Sequence, residues 1–509
     1  MCSVPLTPPR MPPRLARFLI GAALVVASPF VSVTAAQVPA PEYAARRATL
    51  LSKIDSGIVI AYGEVEPVSD WPTFFQLPHF QYLTGFGESN AVLLMVKRGG
   101  SATQTLFVPQ QAEFMARVLG KRTPASDLQR VTGIAGRDIA GLRATVDSLV
   151  GSGLPLYVVP DVHMADFVAE DSLSRGSRLV AQLRTAHANL KITSLDSVVN
   201  GMRAKKSAGE IALLRRAVDI STAAHVEAMK AVAPGCGAYE IQALMEGTFR
   251  RLGGDRPAYG SIVGSGPNAN VLHYMADSRV MRDGELLLID AATSFDHYAA
   301  DVTRTMPVNG TFTPAQRELY QLVRDAQEAY VRPMKDGVKE MESAMAARTV
   351  YNNGLLRLGL IESDSAKFDP QPGTNCPPGG CPQRALYAWH GYGGHGIGLE
   401  VHDPAQYYDG DMVFRSGDVT TVEPGLYVDL DFIGKLPDTP RNRTMRAKLA
   451  PAFAKYGGMG IRIEDDYLIT STGSEWLSKG APREAAEIEA TMKQRAPELP
   501  GGGTCRPKA

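Results

Sequence analysis

Five side chains in the second half of the chain have the types and spacing to hold metal ions. Asp290 ends the apolar run Leu286–Ile289, and Asp301 lies in the β-branched run Tyr298–Thr305 that follows a short polar stretch. An unbroken apolar run stopped by a carboxylate reads as a buried strand reaching the rim of a core. A turn at Phe295-Asp296 makes the two runs a hairpin, with Asp290 and Asp301 as cross-strand partners and Cβ atoms about 5 Å apart. Like charges facing each other destabilise a sheet unless a cation stands between them.

Three more segments end in metal-competent residues. His395 lies in His390-Gly-Tyr-Gly-Gly-His395-Gly-Ile-Gly-Leu-Glu400-Val-His402-Asp403. Gly391, Gly393 and Gly396 form a nominal dinucleotide fingerprint, but Ile397–Val401 is too short and strand-like to open the helix such a site needs. The glycines instead let the backbone crowd a ligand beside His395. Glu423 follows the strand Val419–Val422 and is stopped by Pro424-Gly425. In Ile461-Arg462-Ile463-Glu464, period-two alternation puts Arg462 and Glu464 on one face, so Arg462 can orient the carboxylate. Each segment alone is an ordinary strand end; together they supply four carboxylates and one imidazole. Two divalent cations balance four negative charges, and an oxygen-rich set with one histidine suits Mn²⁺, Co²⁺ or Zn²⁺. Two such ions about 3.5–4 Å apart can bridge a hydroxide and make it nucleophilic at neutral pH.

The set D-(x)10-D, G-H-G-I-G-L-E-V-H-D, T-V-E-P-G-L-Y and I-R-I-E-D-D resembles the pita-bread metallopeptidases: methionine aminopeptidase, aminopeptidase P and prolidase. The segment Phe80–Glu88 with Val92–Leu94 resembles the creatinase-like N-terminal domain of the aminopeptidase P and prolidase branch. This resemblance implies that Asp290 binds one metal, His395 and Glu423 bind the other, and Asp301 and Glu464 bridge. It also implies that Glu423 handles the proton of the attacking hydroxide. His273 matches a histidine near the substrate, and His402 one that contacts the scissile peptide and steadies the tetrahedral intermediate. Arg462 matches an arginine beside the bridging glutamate. His390 is assigned to substrate binding, although it stands five residues before His395 where relatives often have four.

The implied activity is that of an exported dimetal aminopeptidase cleaving between an N-terminal residue and a following proline, with Mn²⁺ as first choice and Zn²⁺ or Co²⁺ as alternatives. The alternative is an Xaa-Pro dipeptidase, and a remoter one is a non-catalytic binding module on the same fold. Peptides with proline second are the implied partners, and a homodimer or homotetramer the implied assembly.

The elements that must position these residues divide the chain. Residues 1–36 hold Arg10, Arg14 and Arg17, then an apolar run from Phe18 to Val33 ending in small residues, which reads as a signal peptide cleaved near Ala36. The run is shorter than a bilayer span and carries Pro29, so no membrane anchor is expected and the mature chain is periplasmic or extracellular. Residues 37–199 alternate strands (Gly57–Tyr62, Ala91–Val96, Leu154–Val159) with helices (Gln110–Leu119, Asp166–Leu183), an α/β domain without a catalytic motif.

Residues 200–480 read as helix, helix, strands, repeated. Capping boxes at Ser207-Ala-Gly-Glu210 and Thr313-Pro-Ala-Gln316 open two of the helices. This α+β domain therefore carries a pseudo-twofold internal duplication, the pita-bread pattern of the resemblance. His225 lies on the apolar stripe of the first helix and reads as a core histidine. Residues 481–509 form a tail with one polar helix and disorder past Leu499. Cys376 and Cys381 flank a Pro/Gly loop that a disulfide would close in an oxidising compartment, and the loop from Asp369 to Gln383 is expected to enter the edge of the site. Lys+Arg and Asp+Glu both total 53, so no net charge draws the protein to nucleic acid or an anionic membrane.

Overall fold

The apolar runs of the first half are strands covered on both faces. The structure, a computed structural model, describes residues 38–66, 73–161, 174–387, 393–405 and 411–494. The expected signal peptide, His390 and the residues past Leu499 lie outside them. In β1 (Gly57–Tyr62), Val59 and Ala61 pack with Leu93 and Met95 of β2 (Val92–Arg98) and Leu106 of β3 (Ser101–Val108). Ile58, Ile60 and Tyr62 face the other way, against Val92, Leu94 and Phe107. Burial of both faces is why these strands are continuous apolar runs. With β4 (Ala135–Asp138), β5 (Leu156–Val159) and β6 (Ile192–Ser194) they form a mixed sheet of order β4-β3-β2-β1-β5-β6.

The helices of this half are α1 (Ala40–Ser52), α2 (Pro78–Thr84), α3 (Glu113–Leu119), α4 (Leu128–Thr132), α5 (Leu142–Gly151), α6 (Arg175–Ala186) and α7 (Asp196–Ala204). The helix expected from Asp166 is described only from Arg175. Helix α7 runs through the expected boundary at 199/200.

The second half opens with α8 (Ala208–Ala231) and α9 (Ala238–Arg251). At Ser207 the side chain accepts from Glu210 N and Glu210 returns a bond to Ser207 N, which fixes where α8 starts. Strands β7 (Arg256–Pro257), β8 (Ile262–Ser265), β9 (Leu286–Asp290), β10 (Thr293–Phe295), β11 (Tyr298–Ala299) and β12 (Thr303–Pro307) follow. The pattern then repeats with α10 (Pro314–Val331) and α11 (Glu340–Arg357). After them come β13 (Lys367–Phe368), β14 (Cys381–Pro382), β15 (Val419–Val422), β16 (Gly425–Tyr427), α12 (Leu430–Gly434) and α13 (Pro440–Tyr456). Strands β17 (Gly460–Arg462), β18 (Asp465–Ile469) and β19 (Ser474–Trp476) and helix α14 (Ala485–Met492) complete it. Ala485, Ile488 and Met492 are buried in the main core, so α14 belongs to this domain and not to a tail beginning at 481. A disulfide joins Cys376 to Cys381, and Asn442 and Thr439 at the start of α13 hold Asp369, which anchors that loop on α13. Among the described residues no helix is long and apolar enough to cross a membrane.

Two broken β-ribbons carry the expected metal ligands. In the first, Phe295 pairs with Tyr298 and Asp290 with Thr303, one register throughout. Asp296 and His297 both have positive φ (47° and 73°), so the turn centre lies one residue later than expected, at a two-residue hairpin turn. Asp290 therefore faces Thr303 and not Asp301. Side chains alternate with period two, so Asp301, two residues before Thr303, still keeps the same face. In the second ribbon the register runs from Val422–Asp465 to Gly425–Arg462, which sets Glu423 opposite Glu464.

Candidate metal centre

Each expected carboxylate ligand stands in or beside a gap in a ribbon. Asp290 ends β9, Asp301 lies between β11 and β12, Glu423 between β15 and β16, and Glu464 between β17 and β18. Gaps leave backbone groups that need other partners. His225, fully buried on α8, puts Nε2 3.0 Å from both Ala291 O and Val302 O, the carbonyls next to Asp290 and Asp301. Burial, then Arg304, pushes its pKa down to about 4, so the neutral ring donates its N–H to that pair. Asp301 N donates to Asp466 Oδ2 (3.2 Å), and Glu464 N donates to Thr303 O (3.1 Å), tying one ribbon to the other. At Gly394 a Cβ would lie 2.0 Å from Thr421 Oγ1, so that glycine admits close packing against β15.

His395 stands between the ribbons. Its Nδ1 donates to Gly396 O (3.1 Å), which leaves the Nε2 lone pair facing Asp301 Oδ2 at 3.5 Å and Glu423 Oε1 at 3.3 Å. Lone pairs aimed at each other from three ligand groups repel unless a cation is shared among them. Ligand atoms of Asp301, His395 and Glu464 lie within 4.8 Å of one another. Tyr259 Oη is 2.5 Å from Oδ1 of both Asp290 and Asp301, and its single proton can serve only one at a time. Arg462 pairs with Asp290, Thr303 Oγ1 donates to Glu464 Oε2 (2.6 Å), and Thr421 Oγ1 donates to Glu423 Oε1 (3.2 Å).

Burial, then Asp290 and Glu423, raises the pKa of Asp301 well above the usual carboxylate range. Burial, then Asp301 and Glu423, does the same to Glu464, and burial pushes Glu423 up to about 7 despite Arg462. Carboxylates this crowded are fully ionised only beside cations. Oxygen donors with one imidazole and no thiolate fit divalent ions of intermediate hardness.

A model of metallopeptidase family M24 matches residues 212–471, and one of the aminopeptidase P N-terminal domain matches residues 43–153. The chain belongs to metallopeptidase family M24. An aminopeptidase P N-terminal domain followed by an M24 domain places it in the aminopeptidase P branch, an α/β N-terminal domain followed by a pita-bread domain. It is 33% identical over 464 residues to the Xaa-Pro aminopeptidase of Escherichia coli (strain K12), covering 89% of this chain and 97% of that one. The Haemophilus influenzae Xaa-Pro aminopeptidase is 30% identical, with 90% and 98% covered. The structure of E. coli aminopeptidase P with the inhibitor Pro-Leu superposes with a TM-score of 0.74 at 29% identity, covering 90% of this chain and 99% of that one. M24 membership and the donor cluster together make this a site for divalent metal.

Around the M24 centre, His402 packs edge-on to His395 with ring centroids 4.1 Å apart. Burial of its inner side, then the His395 and His273 imidazoles, pushes the His402 pKa down to about 4. His273 is exposed in the turn after Asn270, near enough for its charge to act on both His402 and Glu423. Arg462 was expected to orient Glu464 but reaches Asp290, and also bonds Tyr427 Oη (2.9 Å) and Thr303 Oγ1 (3.2 Å). It points across the sheet because β17 pairs with β16 while Glu464 sits in the gap beyond.

Sequence reasoning missed Tyr259, Thr303 and Thr421. Thr303 was within reach, since it is two residues from Asp301 on the same face; Tyr259 lies outside any motif. The N-terminal domain, read as having no chemistry, also contributes. Arg203 on α7 pairs with Asp403 and with Glu400 (2.8 Å), and its Nη1 is 2.9 Å from His79 Nδ1. Lys206 Nζ reaches Asp403 Oδ2 at 2.7 Å. These bonds hold the turn that carries His402.

Proposed function

We propose that the protein is an exported Xaa-Pro aminopeptidase that hydrolyses the bond between an N-terminal residue and a following proline. The observation that carries this reading is the convergence of Asp301, His395 and Glu464 within 4.8 Å, in a chain that matches 97% of the length of an Xaa-Pro aminopeptidase. Asp290, Asp301, His395, Glu423 and Glu464 would hold two divalent ions, with Mn²⁺ as the physiological pair. Bound there, the ions supply a hydroxide nucleophile at neutral pH and Lewis-acid stabilisation of the developing oxyanion.

The chain's own residues do the rest. Glu423, ionised beside the cations, is placed to take the nucleophile's proton and pass it to the departing proline nitrogen. His402 is neutral at pH 7 and can donate a hydrogen bond to the oxyanion as the scissile carbon becomes tetrahedral. Tyr259 and Arg462 fix the Asp290 carboxylate from two sides, so the ligands need not reorganise during turnover. Export is supported by the Arg-then-apolar composition of residues 1–36 and by the Cys376–Cys381 disulfide.

Assaying Xaa-Pro-Xaa peptides against Xaa-Pro dipeptides, with metal analysis of the same preparation, tests the reading. Cleavage of the longer peptides supports it, and cleavage of dipeptides alone makes the protein a dipeptidase. N-terminal sequencing of the protein recovered outside the cytoplasm tests export: a start near Gln37 is expected.

A further inference from the structure

Two buried polar atoms, Gln81 Oε1 and Ser294 Oγ, have no hydrogen-bond partner among the described residues. They come from different domains, Gln81 from α2 and Ser294 from β10, and are only 7% and 4% exposed. Gln81 and Ser294 both belong to the lining of a cavity of about 210 Å³ that His402 also lines. Within the same lining the exposed Arg256 guanidinium lies 3.5 Å from the centroid of the Phe75 ring, and the His297 ring meets the same ring edge-on at 6.3 Å. Arg256 makes no ion pair among the described residues. The carboxylate on the wall, Glu400, is already engaged by Arg203 at 2.8 Å. The residues lining the cavity thus bring together a cation without an ion pair and a buried hydroxyl and amide oxygen without partners, beside His402, which packs on His395.

We propose that this cavity receives the side chain of the substrate's N-terminal residue and selects side chains that end in a carboxylate or carboxamide. The inference rests on the Xaa-Pro aminopeptidase reading above. A peptidase that removes one residue needs a bounded pocket for that residue and an open path for the rest of the chain. A space of about 210 Å³ accommodates one side chain and no extended peptide. Arg256 and Ser294 donate to the incoming oxygen, while the Gln81 amide accepts from a carboxamide or, turned over, donates to a carboxylate. A leucine or phenylalanine side chain would leave both buried polar atoms unpaired, the situation in which a hydrogen-bonding site rejects an apolar analogue.

The test compares kcat/KM of the Mn²⁺-loaded enzyme on peptides beginning Glu-Pro, Gln-Pro, Leu-Pro and Phe-Pro. The expected result is a preference for Glu and Gln over Leu of about tenfold or more, the size of one charge-assisted hydrogen bond. Arg256→Met should cut the Glu-to-Leu ratio by about tenfold, and Arg256→Lys should restore part of it. Ser294→Ala should lower Glu and Gln together relative to Leu. A wild-type preference for Leu or Phe overturns the proposal. So does a Glu-to-Leu ratio that Arg256→Met leaves unmoved, or the same shift appearing only when the residue after proline is varied. Failure to cleave any Xaa-Pro peptide instead overturns the underlying activity.

Discussion

Glu423 and Glu464 stand directly opposite each other across the second ribbon, the arrangement that the sequence suggested for Asp290 and Asp301. The aspartates are offset, with Asp290 facing Thr303, and Tyr259 reaches both. The direct opposition of like charges therefore falls on the glutamates, Glu464 buried and Glu423 partly so, both with raised pKa values. The cation that relieves it also has Asp301 and His395 within reach.

Asp301→Ala and Glu464→Ala should each abolish metal occupancy and turnover together, because each removes a donor placed between the ribbons. Metal content by plasma emission spectroscopy, read beside the peptide assay, checks this. A variant that keeps its metal and loses only rate would show that the residue is no ligand.

His402→Ala should behave oppositely, retaining the metals while kcat falls about 10²–10³-fold, as for loss of one transition-state donor. An emptied metal site would show that its role is ligation.

Arg462→Ala should leave Asp290 without its buried guanidinium and weaken metal binding by about 10–100-fold, as loss of such supporting partners does. Calorimetric titration of Mn²⁺ into the stripped protein reads this directly. Arg462→Lys should recover only part, because a point charge cannot span Asp290, Thr303 and Tyr427 at once.

Asp403→Ala should destabilise the fold by about 3–5 kcal/mol, since Lys206 would be left buried without an acid and Arg203 with Glu400 alone. The wild type carries a related pH dependence. Burial alone would raise the Asp403 pKa, but Arg203 and Lys206 outweigh it and the net shift is downward. The unfolded chain then takes up this proton first, so the contribution is present above the ordinary value of 3.8 and lost as pH falls below it. Urea midpoints between pH 5 and pH 3 for wild type and variant should converge at the acid end.

Chelation of the metal should stop turnover and lower Tm, with both restored by Mn²⁺. A ligand held at a hundred times its Kd stabilises the native state by about 2.7 kcal/mol. A Tm that ignores the chelator would place the metal elsewhere.

That these carboxylates would gather at strand ends was legible because each interrupts a strand, and an apolar run cut short by an acid is visible in sequence. The register was not, because Asp296 and His297 both adopt positive φ, and nothing in Ser294-Phe295-Asp296-His297 announces that pair over the one before it. Partners that come from distant segments were equally hidden. Tyr259 and His225 reach the hairpin from other elements, and Arg462 finds Asp290 only once β16 and β17 have paired. The same holds for α14, whose four buried residues were read as part of a polar tail.

The two ribbons close over very different lengths of chain. The first turns on Asp296-His297, whereas β16 and β17 are separated by the whole stretch from Val428 to Met459, including α12 and α13. Bringing the ends of the longer stretch together costs on the order of 2 kcal/mol more in chain entropy. Asp290 and Asp301 should therefore be held near each other early in folding, while Glu423 and Glu464 meet only after α13 has docked. The order of assembly spares the nascent chain its worst electrostatic encounter until the surrounding core is in place to bear it.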